Sequence, residues 1–281
     1  LALMAERMGK KKKAAHYFQQ SGNYRHLFDP SIGLMRGKNA DGTFQEPFNP
    51  LKWGGAFTEG NSLHYTWSVF HDVQGLMNLM GGPDAFIAQL DHVFEMPPEY
   101  DASYYGHTIH EIREMQIANM GNYAHGNQPI QHMIYLYNYA GAPHRTQEKV
   151  RQVLEQLYAP TPDGYCGDED NGQTSAWYVF SSLGFYPVTP GTDQYVIGSP
   201  LFEEATLTLP DGAIFNIHAR DNGKEHVYVR SATLNGKPYE KKFLEFQEIL
   251  KGGSLIFQMT DTPNSEWGSG SDSVPFSLSR K

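Results

Sequence analysis

The period of the hydrophobic pattern changes once along this 281-residue chain, and that change limits the folds available to it. Up to about residue 185, apolar residues recur at spacings of three and four, which is typical of helices with one buried face. After Pro190 the chain changes to short β-rich runs separated by Asp-Gly, Asn-Gly and Gly-Gly turns, which is typical of an antiparallel sheet. The sequence therefore predicts a mainly α fold with a β-rich tail.

The clearest helical stripe lies in 62–80 and predicts one helix with Ser62 as its N-cap. Gly81-Gly82-Pro83 predicts the end of that helix and the start of another. Further helices are predicted around 130–137, 150–157 and 173–183. The predicted strands are Tyr195–Ile197, Ala205–Leu209, Ile214–Ala219, Val227–Val229 and Leu255–Met259.

Charge and composition exclude several classes of protein. The net charge of −9 argues against nucleic acid as a partner, because phosphate binding needs basic surface. No run approaches the roughly 18 apolar residues that a membrane span requires. Aromatic residues make up 13% of the chain, which suits both sugar-binding clefts and large cores.

The chain starts inside a helical pattern, because residues 1–8 already have amphipathic spacing and no initiator methionine. A processed N-terminus would explain this. We favour a fragment of a larger protein.

Long loops rich in glycine, asparagine and proline interrupt the helices at 29–61, 96–110, 119–129 and 158–172. Loops of this length inside a compact helical domain are usually functional. The densest is Gly167–Gln173, which holds Asp168, Glu169 and Asp170 between glycines. In extended backbone Asp168 and Asp170 point to the same side and can share a water or a cation, whereas an acidic N-cap of the next helix explains the same residues.

Two other loops contain candidate residues. Glu59 lies among small and aromatic residues, including Trp53, Tyr65 and Trp67, and an aromatic environment raises a carboxyl pKa as a general acid requires. A structural capping acid is the alternative. His110-Glu111 suits catalysis, metal binding or sugar hydroxyls, but is also compatible with two unrelated surface residues.

Asn127-Gln128-Pro129 presents amide oxygens, which suit calcium. Asn127 as an N-cap with Pro129 at N1 explains the same residues. No phosphate-binding glycine loop and no G-x-S-x-G motif is present. Separated carboxylates on aromatic-rich loops are what glycoside hydrolysis uses.

Taken together, these stretches resemble glycoside hydrolase family 92, the inverting, calcium-dependent exo-α-mannosidases. The resemblance covers most of residues 1–200 and continues more loosely into the β-rich tail. The matching segments are Phe57–Trp67, Asn127–Tyr137, Asn138–Pro143, Gly167–Tyr178 and Leu183–Val188.

The resemblance implies a role for each candidate residue. Glu59 corresponds to the general acid, and Asp168 and Asp170 correspond to the aspartates that hold and deprotonate the attacking water. His110 and Glu111 correspond to a pair that contacts the leaving-group sugar and accompanies α-1,2 specificity, and Trp53 is assigned to substrate binding. Ca²⁺ is the implied cofactor, with Gln128 and Asn127 as its predicted ligands.

The resemblance also implies a fold and partners. Residues 1–188 would form part of an (α/α)₆ catalytic barrel, and 189–281 a small antiparallel β-sandwich domain. The family's N-terminal β-sandwich contributes to the mannose site and is absent from this chain. The implied substrate is a mannose-containing glycan, and the implied location is secreted or periplasmic. The alternatives are another (α/α) glycosidase, or a fragment that binds glycans or is purely structural.

Overall fold

In a computed structural model, the chain folds into two compact units, and the structure describes residues 1–280. The first unit comprises Leu1–Ala124, Thr189–Thr192 and the segment that starts at Ser277. The second comprises His125–Val188 and Asp193–Phe276. The units are therefore divided differently from the predicted domains, whose boundary at 188/189 stays a prediction. No helix within 1–280 is long and apolar enough to cross a membrane.

The first unit is mainly helical. Its helices are α1 (Ala2–Arg7), α2 (Lys11–Gln20), α3 (Ser62–Tyr65), α4 (Val73–Leu79), α5 (Pro83–Glu95) and α6 (His110–Ala118). It also contains an antiparallel pair of short strands, β1 (Phe28–Asp29) and β2 (Leu34–Met35), and 3₁₀ turns at Asn23–His26, Gly55–Phe57 and Leu278–Arg280.

The helix predicted over 62–80 is wrong in its continuity, because it is divided into α3 and α4. The second helix starts where the Asp72 side chain accepts a hydrogen bond from the main-chain N–H of Gly75, as an N-cap does. The predicted N-cap Ser62 is also wrong by one residue, since Asn61 caps α3. The predicted stop and restart at Gly82-Pro83 is confirmed by the start of α5.

The N-terminus of α3 is fixed by the buried imidazole of His64. Its Nδ1 accepts a hydrogen bond from the main-chain N–H of Asn61 at 3.3 Å, and its Nε2 donates to the carbonyl oxygen of Asn122 at 2.7 Å. The side-chain oxygen of Asn61 accepts in turn from the N–H of His64, which completes a capping box. Burial lowers the pKa of His64 to about 4, so the ring is neutral at physiological pH.

The second unit joins helices to most of the strands. Its helices are α7 (Pro143–Gln156), α8 (Gln173–Leu183) and α9 (Phe246–Leu250), with 3₁₀ turns at Gln128–Ile130, Met133–Asn138 and Ser271–Ser273. Its strands are β3 (Phe185–Tyr186), β4 (Gln194–Ile197), β5 (Glu204–Thr208), β6 (Ile214–Arg220), β7 (Tyr228–Leu234), β8 (Lys237–Pro238), β9 (Phe243–Glu245) and β10 (Gly253–Thr260).

These strands form a three-stranded sheet of order β3-β4-β9 and a five-stranded sheet of order β5-β6-β10-β7-β8. The predicted all-antiparallel arrangement is wrong at one pair, since β10 runs parallel to β6. After β8 the chain passes through β9 and α9 before β10 enters between β6 and β7. A crossover of this kind permits parallel pairing, whereas a hairpin does not.

Both sheets and α8 contribute to one hydrophobic core. Ile197 and Leu244 come from the smaller sheet, whereas Phe215 and Phe257 come from the larger one, and all four are almost fully buried. Along β6, buried and more exposed side chains alternate, as the period of a strand requires. The two sheets thus share one hydrophobic core with α8, and the small β-sandwich domain expected over 189–281 stays a prediction.

The buried histidine predicts a pH dependence of the stability. The unfolded chain binds a proton on His64 near its ordinary pKa of 6.5, but the folded chain does so only near 4. Because the unfolded state binds more protons between these values, the free energy of unfolding should fall as the pH is lowered, by at most about 1.4 kcal/mol per pH unit.

Urea unfolding of wild type and of His64→Gln between pH 5 and 7 measures this contribution. The variant should be less stable at pH 7 and show a flatter pH slope. The control variant His16→Gln replaces an exposed histidine and should keep the wild-type dependence of unfolding free energy on pH. Equal slopes for wild type and His64→Gln would contradict the buried, neutral histidine.

Candidate active site

Glu59 lies exposed on a short, constrained loop of the first unit. The loop is closed where the main-chain N–H of Gly54 donates to the carbonyl oxygen of Gly60 at 2.9 Å. Gly54 has a φ of +83°, and a Cβ there would lie 2.3 Å from a ring carbon of Tyr104. Only glycine fits both conditions. The loop therefore holds the Glu59 carboxylate at the surface in a defined position.

An open cavity of about 470 Å³ adjoins this loop. It brings together Glu59 and the pair His110 and Glu111, which the sequence separates by a long segment. The lining residues are Gly55, Thr58, Glu59, Tyr104, Tyr105, Ile109, His110 and Glu111.

His110 and Glu111 lie in the first turn of α6, and Glu114 follows His110 by one turn. The Nδ1 of His110 lies 2.9 Å from Oε1 of Glu114, and its Nε2 lies 3.4 Å from Oε1 of Glu111. The other oxygen of Glu111, Oε2, is buried and has no hydrogen-bond partner among residues 1–280. A buried carboxylate oxygen without a donor is costly, because the group has lost its hydrogen bonds to water without gaining others.

The negative charge of Glu59 contributes to the raised pKa values of two tyrosines. Burial and the Glu59 carboxylate raise the pKa of Tyr65. Burial raises the pKa of Tyr105 too, with further contributions from the charges of Glu111 and Glu59. Both phenols therefore stay protonated and can act as hydrogen-bond donors near the cavity.

The tryptophans expected around Glu59 are in the protein core instead. Trp53 and Trp67 are fully buried, and Trp53 packs edge-on against His64 with ring centroids 4.8 Å apart. The expectation that the aromatic residues Trp53, Tyr65 and Trp67 desolvate Glu59 is therefore wrong, since Glu59 is exposed, and of these three only Tyr65 has a pKa that the Glu59 charge raises. Among the described residues, the Trp53 indole N–H has no hydrogen-bond partner. Its assignment to substrate binding stays a prediction.

In the second unit, the three acids of the loop Gly167–Gln173, here called the acidic loop, differ in their positions. Glu169 accepts hydrogen bonds from the main-chain N–H groups of Gly172, at 2.7 Å, and Ser175, at 3.1 Å. Hydrogen bonds from Ser175 and Gly172 hold the pKa of Glu169 below its usual value. The capping role that the sequence left open thus belongs to Glu169, which stabilises the start of α8.

Asp168 and Asp170 are both exposed on this loop. Asp170 has a φ of +47°, and Asn171 and Gly172 follow with φ of +57° and +95°. The expected extended backbone is therefore wrong. Because the chain turns in the left-handed region at Asp170, the alternation of side chains along a strand does not apply there. A water or cation shared by Asp168 and Asp170 stays a prediction.

Gln128 belongs to the segment Asn127–Pro129, here called the amide-rich loop. Its side chain connects this loop to the acidic loop within the same unit. Its Nε2 donates to the carbonyl oxygen of Asp168 at 2.9 Å and to Oγ1 of Thr174 at 3.2 Å. Thr174 also donates to the same Asp168 carbonyl at 2.8 Å. At Gly167 a Cβ would lie 2.5 Å from the Cα of Gly126, so the two loops approach as closely as glycine allows. The main chain at Asp168 is therefore firmly held.

Asn127 occupies the N-cap position of the turn Gln128–Ile130, with proline in its first turn. The predicted N-cap position of Asn127 is therefore confirmed, but its side chain makes no capping hydrogen bond. Asn127 is 3% exposed.

The residues of this unit fit calcium in the type of atom that they offer. Within residues 1–280 no group of three or more His, Cys, Asp or Glu side chains could hold a metal ion. A calcium ion here would thus need neutral oxygen ligands as well, and amides, main-chain carbonyls and hydroxyls are ligands that Ca²⁺ accepts. Since the Gln128 amide nitrogen already donates to Asp168 and Thr174, its amide oxygen is the atom left for a cation.

The sequence reasoning missed three residues that support these loops, namely Tyr105, Glu114 and Thr174. Tyr105 lies in the loop 96–110, which was predicted to be functional, but His110 was the residue selected from it. Glu114 follows His110 by one helical turn, but α6 itself was not predicted. Thr174 is the second residue of α8, where its hydroxyl can reach back to the preceding loop.

Comparison with solved structures shows close similarity. A family GH92 inverting mannosidase of Bacteroides thetaiotaomicron matches with a TM-score of 0.88 and 50% identity, over 99% of this chain and 38% of that protein. A second family GH92 α-mannosidase of the same organism matches with a TM-score of 0.88 and 34% identity, over 98% of this chain and 35% of that one.

A curated protein of Arthroderma benhamiae, named a secreted glycosidase, is 28% identical over 95% of this chain and 35% of its own length. This chain thus spans a little over a third of the length of these relatives. The model of the glycosyl hydrolase family 92 catalytic domain matches residues 1–261. Because that match covers nearly the whole chain, the chain belongs to glycoside hydrolase family 92.

Proposed function

We propose that this chain is the carboxylate-bearing part of a calcium-dependent, inverting exo-α-mannosidase that releases mannose from glycans. Membership of the family and the two mannosidases of similar structure support the substrate class. The observation that carries the proposal is the cavity in which Glu59 adjoins Glu111, whose buried oxygen lacks a donor. A carboxyl group for acid catalysis and an acceptor for a sugar hydroxyl are what a glycosidase needs on its leaving-group side.

Each carboxylate has a separate task in the proposed reaction. Glu59 gives its proton to the glycosidic oxygen as the bond from that oxygen to C1 breaks. Water adds to C1 from the opposite face and loses a proton to Asp168 or Asp170. Inversion requires roughly 6.5–9.5 Å between acid and base, so that a water molecule fits between sugar and base.

Gln128 and Asn127 would contribute amide oxygens to the calcium ion. When bound, the ion would orient the sugar hydroxyls and act as a Lewis acid, rather than supply the nucleophile. The hydrogen bonds from Gln128 and Thr174 to the Asp168 carbonyl restrain the main chain of the acidic loop next to these amide groups.

The intact enzyme would contain more than this chain. The similar mannosidases are more than twice as long. We propose that residues 1–188 complete an (α/α)₆ barrel with further chain, and that an N-terminal β-sandwich supplies the rest of the mannose pocket. A secreted or periplasmic location is proposed from the name of the curated relative.

Replacement of the carboxylates tests their roles in the longest natural polypeptide that contains this chain. Glu59→Gln, Asp168→Asn and Asp170→Asn should each lower kcat on mannobiose by about 10²–10⁴-fold, with little change in KM, because each removes a proton-transfer group and keeps the shape. The matched control is Glu169→Gln, which should mainly lower the melting temperature. A rate close to wild type in Glu59→Gln, or in both aspartate variants, would refute the assignment.

Removal of calcium provides a second test. Dialysis against a chelator should abolish turnover, and Ca²⁺ should restore it better than Mg²⁺, which demands a smaller octahedral site. Gln128→Ala should raise the Ca²⁺ concentration needed for half-maximal activity. Full activity in the presence of chelator would instead favour another (α/α) glycosidase that works without a metal.

The linkage preference can be measured on α-1,2, α-1,3 and α-1,6 mannobioses. We expect the α-1,2 substrate to have the highest kcat/KM. Glu111→Gln should lower that value by about 10–100-fold, since a hydrogen bond to a charged group contributes about 1.5–3 kcal/mol. The exposed variant Glu99→Gln should not affect it. A wild-type preference for the α-1,3 substrate would contradict the role proposed for His110 and Glu111.

A further inference from the structure

The residue immediately before Glu59 has an unfavourable main-chain conformation. Thr58 has a φ of +53° and a ψ of −74°. Positive φ is rare for a β-branched residue and costs free energy, so it persists only where surrounding contacts enforce it. The Thr58 conformation determines the direction in which the chain enters Glu59. Whatever holds Thr58 therefore also holds the candidate acid.

Tyr105 makes the contact that holds it. The phenol hydroxyl of Tyr105 donates a short hydrogen bond to the carbonyl oxygen of Thr58. Tyr105 is itself fixed, because its main-chain N–H donates to Ala102 at 3.0 Å and its ring packs edge-on against Tyr104, with centroids 5.2 Å apart. Tyr104 in turn packs against Gly54 at the base of the Glu59 loop. The loop is thus fixed at its base and at Thr58.

Burial and the charges around Tyr105 favour the protonated phenol, which is the form that can donate a hydrogen bond. Burial raises the pKa of Tyr105, and the carboxylates of Glu111 and Glu59 raise it further. The phenol therefore remains protonated where a glycosidase acid must operate. Tyr105 also lines the cavity with both carboxylates, so a shift of the Thr58 turn would be felt directly at the proposed acid.

We propose that Tyr105 is a positioning residue for the general acid: by holding the Thr58 carbonyl, its hydroxyl keeps the Glu59 carboxyl where it can protonate the leaving oxygen. The inference rests on the proposed function, since it takes Glu59 as the acid. It assigns Tyr105 no contact with the sugar. A small displacement of a proton donor is costly in rate, because proton transfer requires hydrogen-bond distance to the accepting oxygen.

The test compares substrates that differ in their need for an acid. Mannobiose has a sugar alkoxide leaving group that must be protonated, whereas 2,4-dinitrophenyl α-mannoside has a leaving group that departs unprotonated. Tyr105→Phe, in the longest natural polypeptide that contains this chain, should lower kcat on mannobiose about 10–100-fold with KM within about threefold, the loss that misplacing a proton donor brings. On the dinitrophenyl substrate its kcat should stay within about twofold of wild type. Glu59→Gln provides the reference for complete loss of the acid.

Tyr100→Phe is the matched control. It makes the same chemical change in the same loop, and removes a 3.2 Å contact between the Tyr100 hydroxyl and Thr108. Tyr100 does not line the cavity, so both substrates should be hydrolysed at wild-type rates. Equal losses on both substrates in Tyr105→Phe, unchanged rates on both, or a rise in KM alone would each overturn the positioning role.

A second variant tests the strained turn itself. Glycine adopts positive φ readily, so Thr58→Gly should lessen the need for the Tyr105 hydroxyl. The double variant Thr58→Gly/Tyr105→Phe should therefore recover part of the lost mannobiose activity, and it remains available for comparison if Tyr105→Phe folds poorly. Absence of any recovery would refute the proposed link through Thr58.

The outcomes separate this inference from the proposed function. If Glu59→Gln slows both substrates equally, or neither, then Glu59 is not the acid and the proposed mechanism fails. If Glu59→Gln shows the dependence on leaving group but Tyr105→Phe does not, only the role of Tyr105 fails.

Discussion

The hydrogen bonds made by the two ring nitrogens of His64 are the constraint on which the first unit's candidate site depends. They join the start of α3 to Asn122 and fix the point from which the chain leads back to Glu59. The ring can do this only while neutral, since one nitrogen must accept and the other donate. His125 provides a parallel in the second unit. It is buried, its pKa is lowered by burial to about 3, and it lies just before the amide-rich loop.

The most accurate sequence predictions concern elements that have both a periodic apolar stripe and a residue that ends the element. Helix α8 was predicted to the residue, because Gly184 ends an apolar run that begins after the acidic loop. The division before Val73 was missed, since one apolar stripe continues through α3 and α4, although turns at 66–72 separate them and Asp72 accepts a capping hydrogen bond from Gly75. The parallel pairing of β10 with β6 was not predictable from turn residues, because it depends on which strand a crossover enters beside.

At the candidate site, residue types were readable from the sequence, but their conformations were not. Three adjacent acids could each cap a helix or serve catalysis, and only the hydrogen bonds of Glu169 to Gly172 and Ser175 show which one caps. The extended-chain argument for Asp168 and Asp170 failed because Asp170 has positive φ, a conformation that aspartate and asparagine adopt more often than other non-glycine residues, and the argument did not consider it. Likewise, nothing in the sequence distinguishes Tyr105 from other loop tyrosines, because its role depends on the hydrogen bond from its hydroxyl to the Thr58 carbonyl oxygen.

The two candidate loops share a way of holding a carboxylate. In each, a side-chain donor restrains a main-chain carbonyl at or next to the acid: Tyr105 holds that of Thr58, before Glu59, and Gln128 and Thr174 hold that of Asp168. A donor bound directly to a carboxylate oxygen stabilises its charged form and lowers its pKa, which suits a base but hinders an acid. Restraint through the main chain fixes position without fixing protonation state. It therefore allows the same kind of support to serve a residue that must give up a proton and one that must accept it.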